Sequence, residues 1–356
     1  VRQFILNVAA DGTPSVGTEI LAAPPPVKKL LNLRGMNLAG GGAQSAWSSW
    51  GPKGPVSGHD YQFMSPSEVD ALIAAGANTF RLLFTWEALQ HEPWASVINS
   101  TDYCLSFHSL VKYITSKGCS VLLDVHGGKD AGFAAYYDNQ VGKSYQGAPV
   151  SDLLENLWWN LASVYQSNPL VMYGITNEPH DIDPGVWYSC VQNIVNSIRK
   201  VGARSRIWVP GIDWTGAGTW MTQNAAAYNI VDPLNNTGIQ LHLYLDANSG
   251  GGSMDVVSKT IGSERCKAVT EWARAKGLKL FLAEVGLSAN VPNGKGAWDD
   301  LVAFMTENSD VWEGFTFWAA GPPLWWSGYQ FYCGPGSAQL AMISGSLKRI
   351  ATPFSG

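Results

Sequence analysis

Eight short apolar runs rich in β-branched residues recur from about residue 31 onward, each followed by a longer amphipathic stretch. This rhythm predicts an α/β chain folded as a single-domain (β/α)8 TIM barrel. Two further observations support that prediction. An open doubly wound sheet usually carries fewer strands, and 356 residues suit one large barrel.

Residues 1–27 stand outside the rhythm. Gly12, Pro14, Gly17 and the run Pro24-Pro25-Pro26 punctuate them, which predicts a short N-terminal strap or hairpin leading into a barrel over 28–356. Strands are expected at Leu31–Leu38, Asn78–Phe84, Ser120–His126, Val171–Asn177, Arg206–Ile212, Gly238–Tyr244, Lys279–Val285 and Gly314–Ala319. Helices are expected between them at Pro66–Ala75, Tyr103–Lys117, Val150–Gln166, Trp187–Val201, Ser263–Lys276 and Trp298–Glu307. Several start at Ser or Asp, whose oxygens accept from the unpaired amides of a first turn. Gly76, Gly118, Gly202 and Gly277 are expected to close helices, because glycine enters the left-handed region without steric cost.

A net charge of -5 with 14% charged residues argues against nucleic acid as a partner, since phosphate neutralisation needs clustered Lys and Arg. Sixteen Trp and thirteen Tyr favour an uncharged polar partner with flat apolar faces, such as a sugar, although most of these rings are expected in the core. No stretch reaches the roughly 18 uninterrupted apolar residues that a membrane span requires. The start, Val1-Arg2-Gln3-Phe4, reads as that of a mature product whose leader has been removed. The sequons Asn99-Ser100-Thr101 and Asn235-Asn236-Thr237 point the same way, to a secreted glycoprotein, and a monomer is expected. Cys104, Cys119, Cys190, Cys266 and Cys333 form an odd set that permits up to two disulfides, with no pairing fixed by spacing.

A parallel barrel places its chemistry at the carboxyl ends of the strands, and polar residues collect there. Arg81 lies in the second strand, Asp124 and His126 end the third, and Asn177-Glu178-Pro179 ends the fourth. His242 and Tyr244 end the sixth, Glu284 the seventh and Trp318 the eighth. Two carboxylates facing each other across one mouth suit glycoside hydrolysis, in which one protonates the leaving oxygen and the other attacks the anomeric carbon or activates water. A separation of roughly 5–5.5 Å gives retention, and roughly 6.5–9.5 Å gives inversion. A structural role competes at each position: Glu178 as a helix cap, Glu284 in an ion pair, Arg81 as a tie across the barrel. Arg81 in an otherwise apolar strand also suits a cation that favours the ionised form of Glu284. His126 and His242 stand singly on distant strands, without His-x-His or His-Glu-x-x-His, so no metal is expected.

Residues from about 31 to 335 resemble glycoside hydrolase family 5. The resemblance rests on Asn-Thr-Phe-Arg at 78–81, Asn-Pro-Leu-Val at 168–171, Thr-Asn-Glu-Pro-His-Asp at 176–181, Trp-Thr-Gly-Ala at 214–217, His-Leu-Tyr-Leu-Asp at 242–246 and Phe-Trp-Ala-Ala-Gly-Pro at 317–322. The last three are similar to a branch rich in fungal and bacterial endo-β-1,4-glucanases. The resemblance implies Glu178 as acid/base, Glu284 as nucleophile, and Arg81 and Tyr244 as supports of the nucleophile. It implies Asn177, His126 and His242 as sugar contacts, Trp318 and Trp214 as platforms, a β-glucan substrate and no cofactor. Two segments depart from the branch: His126-Gly127-Gly128-Lys129-Asp130 with an extended loop through Gly147, and Gly321-Pro322-Pro323-Leu324-Trp325-Trp326. Both lie at the mouth and leave mannan, xyloglucan, mixed-linkage and β-1,3-glucan open as substrates.

Overall fold

The computed structural model describes residues 6–8, 14–16, 31–42, 54–126 and 134–348. The chain divides into two units, Val1–Leu30 and Leu31–Gly356. In the first, Leu6–Val8 pairs antiparallel with Pro14–Val16. In the second, eight parallel strands close into a barrel: β1 (Leu33–Leu38), β2 (Thr79–Phe84), β3 (Ser120–Val125), β4 (Val171–Tyr173), β5 (Ile207–Pro210), β6 (Thr237–Tyr244), β7 (Leu280–Gly286) and β8 (Trp312–Ala320). Each pairs with its neighbours in chain order, and β8 pairs with β1 to close the ring.

Alternation along the strands builds two cores. Leu33, Leu122, Met172, Trp208, Phe281 and Ala283 pack together in one, and the residues that alternate with them, such as Val121, Leu123, Leu280 and Leu282, join the larger core with the surrounding helices. Gly35 leaves β1 room to lie against β2, since a Cβ there would stand 1.6 Å from the Thr79 carbonyl oxygen.

Helices α1 (Pro66–Ala74), α2 (Asp102–Ser116), α3 (Val150–Tyr165), α4 (Pro184–Lys200), α5 (Ile261–Lys276) and α6 (Gly294–Glu307) occupy the predicted intervals within a few residues. Ser65 and Glu68 form a reciprocal capping box on α1, and Asp183 caps α4. The four closing glycines all have positive φ. Between β5 and β6 the chain makes only the short helix Trp220–Gln223, whereas a further helix that the sequence reading did not identify, α7 (Ala338–Leu347), follows β8 behind the cap Ser337.

Three expectations need correction. The fourth strand ends at Tyr173 rather than Asn177, because Ile175 takes φ 57, a left-handed value that a β-branched residue adopts only under constraint and that breaks the ladder. The fifth spans only Ile207–Pro210, since Gly211 onward turns to form hydrogen bonds with Thr215 and Asn224. All five cysteines are free and buried, on five separate segments, so none of the permitted disulfides forms and each thiol fills core volume as a small apolar group.

Candidate active site

Arg81 organises the mouth. It alternates with Phe80 and Leu82, whose side chains join the outer core, and its guanidinium is fully buried. It donates to Asn37 Oδ1 at 2.8 Å, Glu284 Oε2 at 3.1 Å and Asn177 Oδ1 at 2.7 Å, and pairs with Asp124 Oδ1 at 2.9 Å. A planar fork suits such a set, and a buried cation is tolerated only when its partners offset the lost hydration.

Glu284 owes its place to an irregularity in β7. Along β6 and β7, Leu241 pairs with Leu282 but His242 pairs with Glu284, so Ala283 is an extra residue on β7. The bulge re-aims the strand and brings Glu284 to Arg81. Its other oxygen accepts a short hydrogen bond from the Tyr244 hydroxyl.

Glu178 follows the left-handed Ile175, in a segment tied to β3 by the Asn177 amide donating to the Val125 carbonyl at 3.0 Å. Gln240 adds bonds from Nε2 to the carbonyls of Gly174 and Thr176, at 2.9 and 2.7 Å. Oε1 of Glu178 shares a hydrogen bond of 2.6 Å with Nδ1 of His242. One ligand atom each from Glu178, His242 and Glu284 lie within 4.8 Å of one another. This is the group of metal-capable side chains found among the described residues. Both Glu284 oxygens are engaged by Arg81 and Tyr244 and His242 Nδ1 by Glu178, while His242 Nε2 is buried without a hydrogen-bond partner.

The two carboxylates differ in surroundings. Burial raises the Glu178 pKa to about 7, against the opposing pull of His126 and Arg81, and Asp124 adds to the rise. The same burial lowers His242 to about 3, so its imidazole is neutral beside the Glu178 carboxyl over the ordinary pH range. Tyr244 is pushed well above its usual range by burial and by the Glu284 charge, and its hydroxyl keeps its proton as a donor.

Aromatic faces flank these groups. Trp318 stacks on His126 with ring centres 5.2 Å apart, meets Trp326 edge to face, and donates from Nε1 to the Tyr329 hydroxyl at 3.0 Å. Trp214 is 48% exposed and stacks on His180 at 4.5 Å. Asp213, Trp214 and Thr215 form a run of three left-handed residues pinned at both ends. The Trp214 amide donates to the Pro179 carbonyl at 3.3 Å, and the His242 amide to the Thr215 carbonyl at 3.0 Å.

Thus Arg81, Asn177, Tyr244 and Glu284 form one hydrogen-bonded set, the Glu178–His242 pair meets it where His242 Nδ1 stands 3.6 Å from Glu284 Oε2, His126 joins it through Asp124, Trp318 lies against His126, and Trp214 stands at its rim beside the Glu178 segment. Residues 127–133, including Gly127-Gly128-Lys129-Asp130, lie outside the described residues. The remainder of that long loop forms two small antiparallel pairs, Ala135–Tyr136 with Asn139–Gln140 and Ser144–Tyr145 with Ala148–Pro149. The sequence reading missed Asn37, which braces Arg81 from β1, and Tyr329, which holds the Trp318 indole. Asn37 carried a usable signal, a lone amide among Met36, Leu38 and Ala39; Tyr329 carried none. Glu87 was also missed: it is buried, with Oε1 accepting the Tyr137 amide at 2.8 Å and Oε2 unpartnered.

Enzymes that cleave glycosidic bonds are built on this plan, with two carboxyl groups across the mouth of a parallel barrel, and the chain is a glycoside hydrolase. The family model described as Cellulase (glycosyl hydrolase family 5) matches residues 28–321, and the chain belongs to that family. It is 33% identical over 305 residues to endo-beta-1,4-glucanase B of Aspergillus niger, covering 85% of this chain and 87% of that one. It is 34% identical over 281 residues to endo-beta-1,4-glucanase A of Emericella nidulans, covering 79% and 81%. Among solved structures, an endo-beta-1,4-glucanase of Xanthomonas axonopodis pv. citri superposes with TM-score 0.81 at 35% identity, covering 90% of this chain and all of its own (100%). XacCel5A in complex with cellopentaose superposes with TM-score 0.80 at 31% identity, covering 89% and 99%.

Proposed function

We propose that the protein hydrolyses internal β-1,4-glucosidic bonds with retention of configuration. The observation that carries this reading is the approach of Glu178 and Glu284 to within 4.8 Å, in unlike surroundings. So close an approach suits direct attack by one carboxylate, as in a retaining pair, better than the wider separation of roughly 6.5–9.5 Å of an inverting pair. Glu178, neutral below about pH 7, protonates the leaving oxygen. Glu284, held by Arg81 and Tyr244, attacks the anomeric carbon and forms a glycosyl ester. Glu178, now ionised, then takes a proton from water, which releases the sugar and restores both groups. Asn177, His126 and His242 contact the sugar at the cleaved bond, Trp318 supplies its platform, and Trp214 stacks a more distant ring. The β-1,4-glucan is supported by relatives described as endo-beta-1,4-glucanases. No cofactor takes part, and a chelator leaves activity unchanged.

The deciding experiment follows products by proton NMR during hydrolysis of a soluble cello-oligosaccharide, with Glu284→Gln as control. The β-anomer appears first, and the variant loses activity by at least about 1,000-fold. An initial α-anomer would discard the double displacement. Preference for mannan or laminarin over carboxymethylcellulose would keep the chemistry and discard the substrate.

Secretion as a monomeric glycoprotein belongs to the same proposal. Asn235 is exposed just before β6, at the end of the barrel opposite the carboxyl mouth, and has room for a glycan. Asn99 is half-buried and bonded to Thr101 and the Leu89 carbonyl. Among the described residues no helix is long and apolar enough to cross a membrane. Mass spectrometry of protein from a eukaryotic culture medium, with each Asn→Gln variant, tests glycan occupancy, and light scattering tests the mass of 38.4 kDa plus glycan.

A further inference from the structure

Arg81 is paired with two carboxylates, and the proposed chemistry uses only one of them. The second, Asp124, is fully buried on β3. Its Oδ1 stands 2.9 Å from the Arg81 guanidinium and its Oδ2 is 3.0 Å from Nδ1 of His126. His126 in turn lies flat against Trp318. Burying a second anion carries a desolvation cost, and Glu284 already supplies a counter-charge to Arg81. What the second carboxylate adds beyond a counter-charge is its link from Arg81 to His126.

We propose that Asp124 is a positioning residue for the hydrolytic reaction, which divides the Arg81 charge between two carboxylates and orients His126 against Trp318. The proposal rests on the assignment of Glu178 and Glu284 above. Without Asp124, the whole field of Arg81 falls on Glu284 and on the neighbouring Glu178, and the His126 ring loses its anchor. The charged and titratable groups that face Glu178 are His126, Arg81, Asp124 and His180, with His242 in hydrogen-bond contact, Glu284 within 4.8 Å and Tyr244 beyond it. Asp124 is the anion among the first four and acts to keep the acid protonated.

The test compares Asp124→Asn, which keeps the shape and removes the charge, with Asp124→Glu, which keeps the charge and shifts it. In Asp124→Asn the alkaline limb of the kcat/KM profile moves to lower pH, on the order of 0.5–1 unit, because loss of a nearby anion favours ionised Glu178. The kcat at the optimum falls about 10–100-fold while KM changes by less than about 3-fold. In Asp124→Glu the limb stays at its wild-type pH while kcat falls. The limb's position does not depend on how much of the sample is folded, so a poorly folding variant still reports. An alkaline limb unmoved in Asp124→Asn, or moved equally in both variants, overturns the proposal. Full activity in Glu178→Gln or Glu284→Gln would instead overturn the assignment on which it rests, whatever Asp124→Asn shows.

Discussion

Single side chains at this mouth hold charge in a setting that water would otherwise stabilise, and their chemistry follows from how each is compensated. Arg81→Lys keeps the cation but loses the planar fork that reaches Asn37, Asn177 and both carboxylates at once. We expect kcat to fall about 100-fold with a smaller change in KM, as steady-state kinetics will show. Trp214→Ala should do the opposite, raising KM for long cello-oligosaccharides several-fold with kcat nearly unchanged, because the exposed indole lies at the rim of the cluster. The pH dependence has a defined sign. Glu178 must carry its proton to act as acid, its pKa is raised to about 7, and kcat/KM should fall as pH rises through that value. A profile flat from pH 5 to about 9 would remove Glu178 from that role. The charged members of the cluster were legible because a charge inside an apolar run is conspicuous: Arg81 between Phe80 and Leu82, Glu284 between Ala283 and Val285. Tyr329 was not, since a tyrosine ten residues beyond a strand resembles any half-buried aromatic until the Trp318 indole is seen to donate to it.

Among elements, local sequence set the starts and stops, and long-range contacts set the exceptions. The capping box of Ser65 and Glu68 could be anticipated from Ser65-Pro66-Ser67-Glu68, and Ser65→Ala should cost about 1 kcal/mol in chemical denaturation. The early end of β4 could not be anticipated, because Ile175 is a good strand former by propensity. Its left-handed geometry is held by partners from elsewhere in the chain: the Trp158 indole donating to the Ile175 carbonyl at 3.0 Å, and Gln240 bonding the carbonyls on either side. The bulge at Ala283 is equally invisible, since it is a relation between two strands. Gly35 ties element to barrel: Gly35→Ala would press a methyl group into the Thr79 carbonyl, and we expect a lower melting temperature or failure to fold, read by circular dichroism.

At the scale of the whole molecule, two buried carboxyls tie stability to pH. Glu87 and Glu178 each have a pKa raised from 4.5 to about 7 by burial. Below pH 4.5 both are protonated whether the chain is folded or unfolded; between 4.5 and 7 the unfolded chain releases protons that the folded chain retains. Stability therefore falls as pH rises across that window, and the loss is complete above about 7. For Glu87, which is almost wholly buried, the effect is on the order of 3 kcal/mol; for Glu178, at the cleft surface, it is smaller. Glu87→Gln should gain a few degrees in melting temperature relative to wild type between pH 4.5 and 7, by calorimetry. An unchanged difference across that range would show that Glu87 titrates normally.

The sequence by itself determined the barrel, the order of its strands, most of its helices, and the set of polar side chains delivered to one end. Periodicity, caps and glycine positions are local, and a parallel barrel then sends every strand's carboxyl end to the same mouth. Tertiary structure alone decided that the five thiols stay apart, that Ile175 turns left-handed, that a bulge brings Glu284 to Arg81, and that Asp124 shares the same guanidinium. Each of these depends on a distance between residues remote in the chain, and such distances are set by packing rather than by any neighbouring stretch of sequence.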